Sequence, residues 1–269
     1  MVENGFSNKN ELERRIFSMY NEEIKRGRCK KCKAELDFRL SQRYNGKRFR
    51  CGPQSFWHLG KNFLKPDRKI RLAFVGKCSW YGSELEKNPK CGEVYDCRKD
   101  GPQMWNWERR YWQAVRTITE EEPLNLTIDD VFITNLAKCN ISEKGNRTAQ
   151  NITGWEYFAA CVPIFEAEIQ IVRPTHIVFF TGGCYDSLIR NMRFGFDISS
   201  LVDNRFDEEG CKKEIAMENE EQFRRVLWWR RSFSDNRGDN LHFLRTRHPQ
   251  GAPKHFEKEV ARWVLKSWQ

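Results

Sequence analysis

Four short apolar runs, each broken off by a small or polar residue, constrain this chain more than any other feature. They are Ile70-Arg71-Leu72-Ala73-Phe74-Val75 ending at Gly76, and Val131-Phe132-Ile133-Thr134 ending at Asn135. The others are Ile177-Val178-Phe179-Phe180 ending at Thr181-Gly182-Gly183, and Leu241-His242-Phe243-Leu244 ending in Arg245-Thr246-Arg247-His248-Pro249. Each has the length of a strand. The middle two are nearly continuous apolar runs, as strands buried on both faces are. Between the runs lie segments of helical period. Trp105 to Thr119 is one. Trp155 to Arg173 carries Phe158, Val162, Phe165, Ile169 and Val172 on one stripe, and Pro174 closes it. Lys254 to Trp268 puts Phe256, Val260, Trp263 and Val264 on one face.

Strand alternating with helix predicts a three-layer α/β/α sandwich around a four-stranded, mostly parallel sheet. A further amphipathic segment, Glu11 to Arg28, precedes a basic stretch punctuated by cysteines. The expectation is one domain over 1–269, with this helix and Cys-rich segment at about 11–67. The mixed stretch from Asn191 to Asn240 predicts a helix near Glu218 to Arg225 and an edge strand near Val226 to Phe233.

Composition narrows the function. An apolar content of 39% over 269 residues excludes wholesale disorder. No apolar run approaches the roughly 18 residues of a membrane span. The polar start, Met1 to Asn10, lacks a signal core, so the expected location is cytoplasmic, nucleoid-associated if bacterial. The 10 cysteines then read as reduced thiols or metal ligands rather than bridges. Lys plus Arg total 47 against 37 Asp plus Glu, a net charge of +10, beside 10 Trp and 19 Phe. That balance suits an acidic partner that stacks, and nucleic acid comes first. Lys47-Arg48-Phe49-Arg50, Arg147 and Trp228-Trp229-Arg230-Arg231 are candidate phosphate contacts.

In an open parallel sheet, ligands bind at the carboxyl ends of the strands. Here those ends carry Gly76-Lys77-Cys78, Asn135, Gly182-Gly183 and His248-Pro249. No Gly-x-Gly-x-x-Gly follows the first run, which argues against a dinucleotide.

These residues resemble a known family. Val131-Phe132-Ile133-Thr134-Asn135-Leu136-Ala137-Lys138-Cys139, followed by Gly145-Asn146-Arg147-Thr148, is similar to the middle motif of the uracil-DNA glycosylase superfamily, nearest its iron–sulfur branch. Cys161 on the next helix, the helix-ending Arg173-Pro174, the final His248-Pro249-Gln250-Gly251-Ala252 and the N-terminal Cys29-Lys30-Lys31-Cys32 follow that branch's order. Four thiolates can hold either a tetrahedral zinc or a [4Fe–4S] cluster, and spacing does not separate the two. The resemblance implies the cluster, with Cys29, Cys32, Cys139 and Cys161 as ligands. Cys51 is a rival ligand, and Cys91 with Cys97 could form a separate zinc site with Cys51 or Cys78.

The resemblance further implies a monomeric DNA glycosylase that hydrolyses the N-glycosidic bond of uracil or a modified pyrimidine flipped out of single- or double-stranded DNA. Such chemistry needs a reader for the base edge and a donor to the departing base anion. Asn135 takes the first role and His248 the second. Gly76, Cys78, Tyr81 and Trp105 are expected to line the base site, with Tyr81, Trp105 or Trp107 stacking on the base. The first motif departs from the family. It reads Gly76-Lys77-Cys78-Ser79-Trp80-Tyr81-Gly82-Ser83-Glu84, with no proline, and Lys77 stands where the iron–sulfur branch has a glutamate. A charged lysine is no general base, but it can stabilise an anion. The water then falls to Glu84 or to backbone carbonyls, or the base is not plain uracil. The alternative is a non-catalytic nucleic-acid-binding protein that keeps the fold and holds a structural zinc.

Overall fold

The computed structural model describes residues 9–27, 49–51, 53–77, 94–99, 103, 105–122, 124–138, 140–142, 159–196, 201–207, 229–235, 240–252 and 256–268. Among the described residues its centre is a sheet of seven strands in the order β2 (His58–Leu59), β4 (Val131–Asn135), β3 (Leu72–Gly76), β6 (His176–Phe179), β9 (Asn240–Arg245), β8 (Trp229–Asp235) and β7 (Leu201–Asp207). The four predicted runs become β3 (Leu72–Gly76), β4 (Val131–Asn135), β6 (His176–Phe179) and β9 (Asn240–Arg245). They lie side by side and parallel: β4 and β6 flank β3, and β9 follows β6.

The expected four strands are therefore only the parallel middle of a mixed sheet. Three antiparallel strands extend it. β2 (His58–Leu59) pairs with β4 on one side. On the other, β8 (Trp229–Asp235) pairs with β9, and β7 (Leu201–Asp207) pairs with β8. The expected edge strand near Val226 to Phe233 is thus β8, one strand in from the edge. A separate small ribbon joins β1 (Phe49–Cys51) to β5 (Asn140–Ser142). The helix expected near Glu218 to Arg225 lies outside the described residues.

Period-two alternation sorts the strands' side chains onto two faces. Ala73, Val75, Phe132, Ile177, Phe179 and Phe243 point to one face. There they meet α1 (Lys9–Lys25) through Leu12, Ile16 and Tyr20, and α3 (Val162–Val172) through Ile164, Phe165, Ile169 and Val172. Leu72, Phe74, Val131, Ile133, Val178 and Leu244 point to the other face. They meet α2 (Arg110–Glu120) through Trp112, Val115 and Ile118, and α5 (Phe256–Trp268) through Phe256, Val260 and Val264. A short helix, α4 (Asp186–Asn191), follows β6. This two-sided burial makes the α/β/α sandwich and explains why the central runs are mostly apolar. α3 ends where Arg173 turns left-handed at φ 51°, with its amide bonded to the Ile169 carbonyl, and Pro174 follows.

The chain leaves β3 through α2 on one face to reach β4. It then returns through α3 on the opposite face to β6. The chain exits of β3 and β6 therefore part toward opposite faces, which is the switch point where open α/β sheets carry a ligand crevice at the strands' carboxyl ends.

A candidate base-excision site at the carboxyl edge of the sheet

Gly76 and Asn135 end their strands as direct register partners. The ladder continues past them: the amides of Leu136 and Ala137 donate to the carbonyls of Gly76 and Lys77 at 2.9 and 2.8 Å. The first and middle motifs are thus held together by backbone. Gly76 is there for room. A Cβ at this position would collide with Oδ1 of Asn135 and touch Cε2 of Tyr111 at 3.5 Å. Asn135 itself is 8% exposed, an amide laid across the end of the neighbouring strand.

The third part arrives from β9. The Thr246 amide donates to the Phe179 carbonyl, and the Gly182 amide to the Thr246 carbonyl, both at 2.9 Å. These bonds tie the strand's exit to that of β6. His248 then caps a 3₁₀ turn, Pro249–Gly251, its Nδ1 accepting from the Gln250 amide at 3.4 Å. An Nδ1 used as acceptor leaves the ring proton on Nε2. Burial, and then the charge of Lys77, push the imidazole down to about 4, so it is neutral at physiological pH.

Tyr111 links these parts. It sits in the first turn of α2, its ring 6.2 Å from that of His248 and edge-on to Phe180 at 5.5 Å. The ortho carbon at its hydroxyl end reaches Gly76 beside the Asn135 amide. Asn135 and His248 therefore border one region, separated by a single aromatic ring. The Tyr111 hydroxyl is buried without a hydrogen-bond partner among the described residues. Such a group costs about 1–3 kcal/mol. Burial also holds its pKa well above the ordinary phenol value, so it stays protonated.

Behind the middle motif, polar groups meet in the core. The Lys138 ammonium donates to Thr134 Oγ1 at 2.7 Å and to Glu168 Oε2 at 2.6 Å. Glu168 also accepts from Thr134 at 2.8 Å and from Tyr20 of α1 at 2.5 Å. Lys138 and Glu168 are 1% and 0% exposed, and the ammonium lies over the rings of Phe165 and Tyr20 at 5.5 and 5.8 Å. The Lys138 amide donates to Cys161 Sγ at 3.4 Å. Cys161, buried at the start of α3, is thus brought beside the residue that precedes Cys139. The β1–β5 register sets Cys51 opposite Asn140.

The expected site is only partly assembled by described residues. Gly76, Lys77, Asn135 and His248 come to the crevice. Trp105 instead packs half-buried against the α2/α5 face, and the Arg116 guanidinium holds its carbonyl and that of Trp107. Trp107 in turn lies under Arg109 at 5.0 Å. Arg231, expected at a phosphate, is 9% exposed and stacks over Phe233 at 4.5 Å, because β8 is an interior strand. Cys29, Cys32, Cys78, Tyr81, Glu84, Cys91, Cys139, Lys47, Arg48, Arg147 and Trp228 lie outside the described residues. The sequence reading missed Tyr111. Its only sequence signal is an aromatic near the start of the helix that follows the first motif.

A family model described as the uracil DNA glycosylase superfamily matches residues 66–269. The chain belongs to that superfamily, which supports a DNA glycosylase type of function and implies a DNA substrate. Compared with curated proteins, the sequence has no match.

Proposed function

We propose that this protein hydrolyses the N-glycosidic bond of uracil, or of a modified pyrimidine, everted from DNA, as a monofunctional glycosylase. The observation that carries this reading is the convergence of the Asn135 amide and the neutral His248 imidazole on one crevice across Tyr111. Water attacks C1′ as the bond from C1′ to the base breaks. The base leaves with the bonding electrons, and the water's proton is released. Asn135, with donor and acceptor on one amide, reads the base edge. His248 donates from Nε2 to the base oxygen that turns anionic. The Lys77 ammonium, close enough to depress His248, adds positive potential where that charge develops.

Cys29, Cys32, Cys139 and Cys161 would hold a [4Fe–4S] cluster that braces the loops beside the DNA. The buried Cys161 sulfur, accepting an amide hydrogen bond one residue from Cys139, suits a cluster thiolate. Iron and acid-labile sulfide in the purified protein support the cluster, and stoichiometric zinc replaces it. The carboxylate missing from the first motif favours a second reading, DNA binding without catalysis on a structural zinc.

Oligonucleotides carrying uracil or modified pyrimidines, single- and double-stranded, separate the readings when released bases are identified by mass spectrometry. The expected result is one released pyrimidine, lost in Asn135→Ala and slowed in Lys77→Ala. No release from any substrate ends the glycosylase reading.

A further inference from the structure

We propose that the Tyr111 hydroxyl is a third polar contact to the everted base, beside Asn135 and His248. This rests on the glycosylase reading and assigns a residue that the motifs do not contain. Three observations converge. The hydroxyl end of the ring reaches the end of β3 at Gly76, where the Asn135 amide lies. The ring stands 6.2 Å from that of His248, so it lies between the base reader and the anion donor. Among the described residues the buried hydroxyl has no partner, although folding pairs nearly all such groups. Thr246, whose hydroxyl is also buried and unpartnered, leaves β9 on the same edge of the sheet, so polar groups accumulate there unspent.

A phenol held neutral by burial both donates and accepts. It can therefore meet a base carbonyl or an exocyclic amine. A pyrimidine edge entering between Asn135 and His248 supplies the partner that the protein does not. The contact forms only when the base is in place, and it supplements the edge read by Asn135.

Tyr111→Phe removes the oxygen and keeps the ring. With wild type excising a pyrimidine, the variant is expected to lose about tenfold in kcat/KM, the worth of one hydrogen bond to the base. Its melting temperature should hold or rise, since an unpaired buried hydroxyl has been deleted. A variant matching wild type in kcat/KM overturns the assignment and leaves the glycosylase reading standing. A fall in both rate and melting temperature also overturns it, because the hydroxyl would then be structural.

Free uracil and cytosine, titrated against both proteins by calorimetry, decide the case if wild type excises nothing. Weaker binding to Tyr111→Phe upholds the contact although the glycosylase reading has failed. Equal binding, or none to either protein, overturns it.

Discussion

Replacing Lys138 by methionine tests the polar cluster behind the middle motif most directly. The substitution keeps an unbranched chain of similar length and removes the ammonium. Glu168, fully buried, loses its cation at 2.6 Å and retains only the hydroxyls of Tyr20 and Thr134. Breaking one side of a buried ion pair costs about 3–5 kcal/mol, because a charge stays behind without compensation. Against a total stability of about 5–15 kcal/mol for a domain, that is a large share. The double variant Lys138→Met, Glu168→Gln removes both charges. Its amide oxygen can still accept from one of the two hydroxyls, and its NH2 can donate to the other. It should therefore recover about 2 kcal/mol or more of the loss, a coupling within the range of contacting residues. Urea unfolding, followed by circular dichroism and tryptophan fluorescence, reads all four members of the cycle. A Lys138→Met protein within about 1 kcal/mol of wild type would refute the reasoning, as that cost is far below a stranded buried charge. So would a double variant at least as unstable as the two single losses added.

Gly76→Ala should fold normally, since only a collision with the Asn135 side chain stands against it. Displacing that amide should lower kcat/KM by about a hundredfold, the penalty for misplacing a positioned group by roughly 1 Å; a fully active variant removes Asn135 from the reaction. At the opposite end of the sheet, His176 and His242 face each other across β6 and β9 with rings 5.1 Å apart, and burial followed by the neighbouring His242 pushes His176 down to about 3. The unfolded chain takes up a proton near 6.5 and the folded one does not. Stability is therefore full above pH 6.5 and declines as pH falls from 6.5 toward 3, at most about tenfold in the folding constant per pH unit. His176→Leu should flatten that decline in acid unfolding curves, and an unchanged slope would show that other groups cause it.

The parallel centre of the sheet was legible because burial on both faces writes a strong signal, a short run with few polar positions. Of the added strands, only β8 was legible, as the edge strand expected near Val226 to Phe233. β7 reads Leu-Val-Asp-Asn-Arg-Phe-Asp, rich in residues that strands disfavour, and its pairing with β8 holds it. β2 is two residues long, too short for any period. At the site, Asn135 and His248 were readable because they follow strands. Tyr111 was not, because a tyrosine in an amphipathic helix reads as core. The burial of Lys138 and Glu168 has no sequence signal, since only their meeting in three dimensions makes it tolerable.

The family match begins at residue 66, yet Leu12, Ile16 and Tyr20 of α1 are completely enclosed. Glu13 is tied to Arg98, whose guanidinium lies over Phe17 at 4.2 Å. What is inherited and what must fold together thus have different borders here. A fragment trimmed to the homologous region would expose the greasy side of α3 to water and leave a carboxylate looking out through the gap. Expression of the recognisable part by itself should give an insoluble product.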